Sequence, residues 1–296
     1  MGEKKFIYNH SRPYVAVDCV VLAYDKPERM LKALLQVKGN AEEKWGLPAR
    51  ILRCSDNPDD EWDGGETLEQ AVRAALTKRT YNIMSPDNTT LVKTVEIHPV
   101  DLPDDQTFIQ LEARSDIQRD KGRKGSHKRV ITIPFLTLVK YSGKDISDYG
   151  WVWAPLPQIM RDNAIRNPKD CPSDGNVYRL AFDHPLILQS ASERLKEMAH
   201  LQPLGRGILP DRFTIADLQA FYEVILDMEL ERSNFRKAMM DRNHLEKAGQ
   251  EKGPSRPSDL FKFKDEVYDE YVRKKDFAFN PERKKQGKSI NLAVDL

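Results

Sequence analysis

The chain has 296 residues, with 47 Lys plus Arg against 46 Asp plus Glu. That length exceeds the usual single domain, so two domains are expected, and the near-neutral balance excludes a uniformly basic nucleic-acid coat while leaving local patches open. Cys19, Cys54 and Cys171 lie far apart without histidines at zinc-finger intervals, which argues against a disulfide framework or structural zinc, and no apolar run is long enough for a membrane span or leader, so a soluble, cytoplasmic chain is expected.

From Tyr14 to Tyr24 a β-branched apolar run is long enough for a central strand, and Met30 to Val37 is a second such run. Trp45-Gly46-Leu47-Pro48 follows. After an acidic loop, Gly64-Gly65 leads into a helix read through to Thr80. Leu68, Ala71, Val72, Ala75 and Leu76 fall at the spacing that lays one apolar stripe on a helix, and Thr67 with Gln70 three residues on forms a capping box. Further strands are predicted at Leu91–Val100, Phe108–Leu111 and Val130–Tyr141, and Trp151–Leu156 is a closing Trp-rich strand leading into another helix.

The Gly64–Thr80 segment resembles the Nudix box, a glycine-rich loop entering a helix that carries an Arg-Glu pair and then a Glu-Glu pair. Aligned from Glu66 and Leu68, those positions hold Ala74 with Ala75 and Lys78 with Arg79, and the closing glycine is Tyr81. The usual Pro-Gly-Gly approach reads Pro48-Ala49-Arg50. In the family these carboxylates hold divalent cations against a nucleoside diphosphate, because hard cations need oxygen ligands. Ammonium and guanidinium groups cannot ligate a cation and repel one at short range. The resemblance therefore implies a Nudix scaffold without its hydrolytic metal site, with no catalytic residue, no metal and no cofactor. By spacing alone, any amphipathic helix after a glycine turn reads the same way.

Between Asp162 and Tyr178, Asn, Pro, Asp, Ser and Gly cluster without periodicity, marking a boundary. A connector helix capped by Asp183 begins at His184-Pro185 and runs to about His200, with Leu188, Ala191 and Leu195 on one face. Beyond Leu201 short helices replace strands. Thr214, with Asp217 at the third position, caps a helix whose stripe is Leu218, Phe221, Tyr222 and Ile225, and Asp227–Leu230 supplies a turn. In the next helix Phe235, Ala238 and Met239 face inward, leaving Arg232, Ser233, Arg236 and Lys237 outward and Asn234 at the edge. Helix, tight turn and a second helix with exposed Arg, Asn and Ser is what a helix-turn-helix presents to a major groove. Leu245-Glu246-Lys247 and Leu260–Phe263 can pair as a wing around a loop containing Lys252 and Arg256, and from Arg232 to Arg256 seven cations face three acids.

This ordered pair of domains, with Ala181-Phe182-Asp183-His184 as a linker, resembles the Nudix-related transcriptional regulators of NAD metabolism over roughly residues 12 to 264. The expected fold class is α+β: a Nudix-like α/β/α sandwich (1–160), a linker with a connector helix (161–205), a winged helix-turn-helix (206–264) and a basic extension (265–296). The resemblance implies a homodimeric, ligand-responsive regulator. Its DNA operator would be gripped by Arg232, Ser233, Asn234, Arg236, Lys237, Lys252 and Arg256. Its catalytically inactive Nudix-like domain would sense an ADP-ribose-like nucleotide or sugar phosphate effector through candidates Trp45, Arg50, Lys78, Arg79, Arg119 and Arg129. Seven cations between Arg114 and Arg129, against two acids, could serve the same diphosphate or simply line a solvated loop. The competing enzyme class is a Nudix hydrolase of nucleoside diphosphate derivatives that draws carboxylates from Asp59, Asp60, Glu61, Asp63, Glu66 or Glu69. A third reading has the C-terminal helices binding a protein partner.

Overall fold

A computed structural model describes residues 13–38, 45–53, 65–77, 79–84, 91–116, 129–164, 177–201, 203–252 and 257–264. These fall into two compact units, one within residues 1–22 and 32–191, the other within 23–31 and 192–296.

The first unit is organised by β1 (Tyr14–Asp25), β2 (Met30–Val37), β3 (Trp45–Gly46), β4 (Ala49–Ile51), β7 (Ile109–Gln110), β8 (Val130–Val139) and β9 (Trp151–Pro155). They form one seven-stranded sheet with the path β3-β2-β1-β8-β7, to which β4 adds on β1 and β9 on β2. From Ala16 onward every residue of β1 is buried, so the strand reads as a continuous apolar run rather than an alternating one, as a strand covered on both faces must. Leu22, Leu34, Leu35, Leu136 and Trp151 are fully buried around it. Met30–Val37 and Trp151–Pro155 run where the sequence places them, and β9 pairs antiparallel with β2 from Lys32↔Pro155 to Gln36↔Trp151.

Helix α1 (Leu68–Leu76) starts at the expected cap: Thr67 Oγ1 accepts from Gln70 N–H, and the Gln70 side chain accepts from Thr67 N–H. Ala71, Val72, Ala75 and Leu76 are buried. The helix ends earlier than the box alignment requires. Thr77 is extended, and Arg79 opens strand β5 (Arg79–Met84), which pairs with β6 (Leu91–Ile97). Thr80, Tyr81 and Ile83 favour a pleated strand over another helical turn, which overrides the length of the resemblance. Arg79 is therefore not on the helix.

Helix α2 (Leu156–Ala164) follows β9 directly, and its last turn is tied to the segment before the connector. Asp162 accepts from Tyr178 N–H at 2.9 Å; Asn163 donates to Tyr178 O at 2.7 Å and accepts from Leu180 N–H at 2.9 Å. Leu180 in turn bridges Trp45 in parallel. The expected boundary at 162–178 thus begins inside α2. The connector α3 (His184–Leu201) is divided, His184–Ala191 clustering with the first unit and the remainder with the second. Leu188, Ala191 and Leu195 are buried as its spacing predicts.

In the second unit α4 (Ile215–Leu226) and α5 (Arg232–Asp241) precede the hairpin β10 (Leu245–Glu251) and β11 (Ser258–Phe263). Phe213, Phe221, Phe235 and Phe261 are its fully buried anchors. The Tyr222 ring lies 5.5 Å from Phe235, and Phe213 bridges Phe261 through two backbone hydrogen bonds of 3.0 and 2.8 Å. The turn between β1 and β2 clusters with this unit: Tyr24 meets Phe221 edge-on at 5.2 Å, Lys26 pairs with Asp217 at 2.9 Å and Arg29 with Glu223 at 3.1 Å.

Candidate functional site

Helix α5 is set by its turn and its cap. Asp227 takes the left-handed conformation that ends α4. Glu223 Oε1 then accepts from Leu230 N–H at 3.1 Å and from Gln219 Nε2 at 2.9 Å, while Gln219 also donates to Leu230 O at 2.8 Å, so the approach to α5 is pinned by α4. Glu231 caps α5, its carboxylate accepting from the Ser233 and Asn234 N–H groups at 3.0 and 2.7 Å. Those bonds hold its carboxyl below the ordinary glutamate value. With Phe235, Ala238 and Met239 buried, Arg232, Ser233, Asn234, Arg236 and Lys237 are all exposed. A rigid helix thus presents forked guanidinium donors and a lysine on one accessible surface.

The hairpin carries Lys247–Asp259 at 3.0 Å and Lys262–Glu246 at 2.7 Å as cross-strand ion pairs. Lys252 is exposed where β10 ends, and Arg256 lies outside the described residues.

In the first unit the residues of the box approach are paired. Arg50 Nε donates to both oxygens of Glu66, at 2.9 and 3.0 Å, and Arg53 N–H donates to the same carboxylate at 2.9 Å. Glu69 pairs with Arg73 one turn on, and the Arg73 guanidinium also donates to the carbonyls of Pro103 and Asp104. Trp45 is half-buried, its ring 5.9 Å from Tyr178. Arg129 is exposed and donates to Ser115 O, whereas Arg114 is bound to Asp183 at 2.8 Å. Lys78, Arg119 and the acids at 59–63 lie outside the described residues, and among the described residues no group of three His, Cys, Asp or Glu side chains could hold a metal ion.

Residues 205–263 match the NrtR DNA-binding winged helix domain family. Residues 205–263, within the second unit, are thus similar to that winged helix domain. A curated relative, the ADPR responsive transcriptional repressor NtrR of Acinetobacter baylyi, is 37% identical over 91 residues, which span 30% of this chain and 36% of that repressor. The crystal structure of Shewanella oneidensis NrtR complexed with a 27mer DNA is similar over 86% of this chain and 95% of its own, with 24% identity and a TM-score of 0.57. A MutT/nudix family protein from Enterococcus faecalis is similar over 88% of this chain and 90% of its own, with 21% identity and a TM-score of 0.56. At these identities the likeness to the solved structures is one of fold. The chain thus shares the fold of these structures, a Nudix-like domain followed by a winged helix domain.

Within that frame the structure gathers Arg232, Ser233, Asn234, Arg236 and Lys237 on one helix, with Lys252 on the wing. The effector candidates are not gathered in the same way: Arg50 serves Glu66 and Arg79 starts a strand. Sequence reasoning passed over a buried constellation in the first unit. Asp18, within the apolar run of β1, accepts from Thr132 Oγ1 at 2.8 Å and faces His184 Nε2 at 3.4 Å, while His184 Nδ1 accepts from Leu47 N–H at 3.0 Å. The lone acid within VAVDCVVLAY was the available signal, because a buried carboxylate requires partners. It also passed over Glu231 and the hairpin acid Asp259.

Proposed function

We propose that this chain is a ligand-responsive, DNA-binding transcriptional regulator that works as a cytoplasmic homodimer. The NrtR-type winged helix domain would grip an operator through Arg232, Ser233, Asn234, Arg236, Lys237, Lys252 and Arg256. The Nudix-like domain would sense an ADP-ribose-like nucleotide or a sugar phosphate without hydrolysing it. The observation that carries the reading is α5 itself, a helix fixed at its N-terminus by Glu231 and by the Gln219–Glu223–Leu230 bonds, with its basic and amide side chains exposed. Arg is suited to guanine edges and Asn to adenine edges in a major groove. The A. baylyi relative is an ADPR responsive repressor, which supports an ADP-ribose-like effector here. Its candidate contacts are Trp45, Arg50, Lys78, Arg79, Arg119 and Arg129, with Arg50 already paired to Glu66.

The absence of hydrolysis belongs to the same proposal. Glu66 is committed to Arg50 and Arg53, and Ala74, Ala75, Lys78 and Arg79 stand at the aligned acid positions. Regulation requires that effector and operator favour different states of the dimer, with a coupling on the order of 1 to 3 kcal/mol.

The test combines two measurements on the full chain. Gel-shift titration against duplexes selected from a random library should give sequence-specific binding that weakens steeply with salt and is altered by ADP-ribose. Magnesium-dependent turnover of ADP-ribose or sugar nucleotides, together with no duplex binding, would overturn the reading in favour of a hydrolase. Calorimetric titration with ADP-ribose in EDTA should still show binding; strict dependence on magnesium would count against direct recognition of the diphosphate by the cations at the aligned acid positions, Lys78 and Arg79.

A further inference from the structure

A hairpin that meets DNA gains affinity from cations, so an acid set among them is a cost that needs a reason. Asp259 of β11 is such an acid, three-quarters buried. Its Oδ1 accepts from Gln250 Nε2 at 2.9 Å and its Oδ2 pairs with Lys247 Nζ at 3.0 Å. The Gln250 bond, the Lys247 bond and, more weakly, the charge of Arg236 on α5 hold its carboxyl below the ordinary aspartate value.

The hairpin register makes this arrangement possible. Lys247 opposes Phe261, Gly249 opposes Leu260 and Gln250 opposes Asp259, so Ala248 is an extra residue in β10. In a regular strand, residues three apart point to opposite faces. One inserted residue reverses that parity and brings Lys247 and Gln250 to the face shared with Asp259 and the core residue Phe261. Gly249, at φ +127°, supplies a backbone conformation that a side chain would strain.

We propose that Asp259 is a positioning residue for sequence discrimination: it fixes Lys247 and Gln250 on one face of the hairpin, so that a defined set of donors and acceptors meets the duplex. This rests on the DNA-binding reading above. Because one Nε2 hydrogen of Gln250 is held by the carboxylate, the amide has a single orientation, and the other Nε2 hydrogen and the Oε1 remain for a base edge. The acid lowers attraction to any phosphate and gains discrimination between sequences in exchange, which is how specificity is separated from affinity.

The experiment compares wild type with D259N and Q250A, all full-length. Affinities are measured for the duplex that wild type selects from a random library and for a scrambled duplex of equal composition, across a salt series, with thermal midpoints alongside. D259N should lower the preference for the selected duplex about tenfold. Binding to the scrambled duplex should be unchanged or tighter, and the midpoint should stay near that of wild type. Q250A, which keeps the carboxylate, should reproduce most of the lost preference. If D259N merely tightens binding to both duplexes equally, or weakens both in parallel with a lower midpoint, Asp259 is a repulsive or structural charge and the inference fails. If wild type itself selects no duplex, the DNA-binding reading fails first.

Discussion

Arg50 and Glu66 lie face to face at the entrance to α1, with Nε of the one within 2.9 and 3.0 Å of both oxygens of the other. The Arg50 bond is the foremost reason that the Glu66 carboxyl titrates below its ordinary value. The pair anchors β4 to the start of the helix. It leaves both charges spent within the protein.

Replacing Arg50 with Met should leave Glu66 without its main partner and lower stability by about 1 to 3 kcal/mol in denaturant melts. The pH dependence follows from the sign. A depressed folded value means that the unfolded chain binds the proton more readily, so the pair's contribution is complete above about pH 4.3 and is lost as pH falls through the folded value. The loss of stability between pH 6 and pH 3 should be shallower in E66Q than in wild type. An identical acid limb in both would show that the pair carries none of it.

Asp18 and His184 predict a larger effect. Because His184 Nδ1 accepts from Leu47 N–H, Nε2 carries the hydrogen and donates toward Asp18. H184A removes a buried partner from a buried carboxylate and should cost about 3 to 5 kcal/mol. A chemical melt of H184A within 1 kcal/mol of wild type, on the order of a surface substitution, would refute the assignment.

On α5 two of the exposed cations, Arg236 and Lys237, should separate. R236A should weaken operator binding by about 1 to 3 kcal/mol and relax one base position, whereas K237A should weaken all duplexes alike and lower the salt slope by about 1. Affinities across salt and across single-base operator variants measure both. Equal loss for every duplex in R236A would make it a phosphate contact.

The helix upstream offers a stability check independent of DNA. Thr214 Oγ1 accepts from Asp217 N–H at 3.1 Å, and Asp217 accepts from Thr214 N–H at 3.1 Å. T214A should cost about 1 kcal/mol, read by the thermal midpoint of the full chain.

The long strands β1, β2, β6, β8 and β9, both capping boxes and the inward faces of α1, α4 and α5 were legible in the sequence, whereas β3, β4 and β5 were not. The box was read too far: its helix stops at Leu76, because β5 finds a partner in β6 and a strand pairing outweighs helix continuation. The wing strands could be anticipated, but their faces could not. A period-2 reading sets Lys247 and Gln250 on opposite sides, and only the extra residue at Ala248 brings them together.

Sequence therefore determined most of the helices and long strands and which of their faces are apolar, because those properties are set within a few residues. Pairings across distance were decided by the tertiary structure: Arg50 with Glu66, Asp18 with His184 and Asp259 with Lys247. A buried or half-buried charge takes whatever partner the folded backbone delivers to it. No local pattern in the chain encodes that partner.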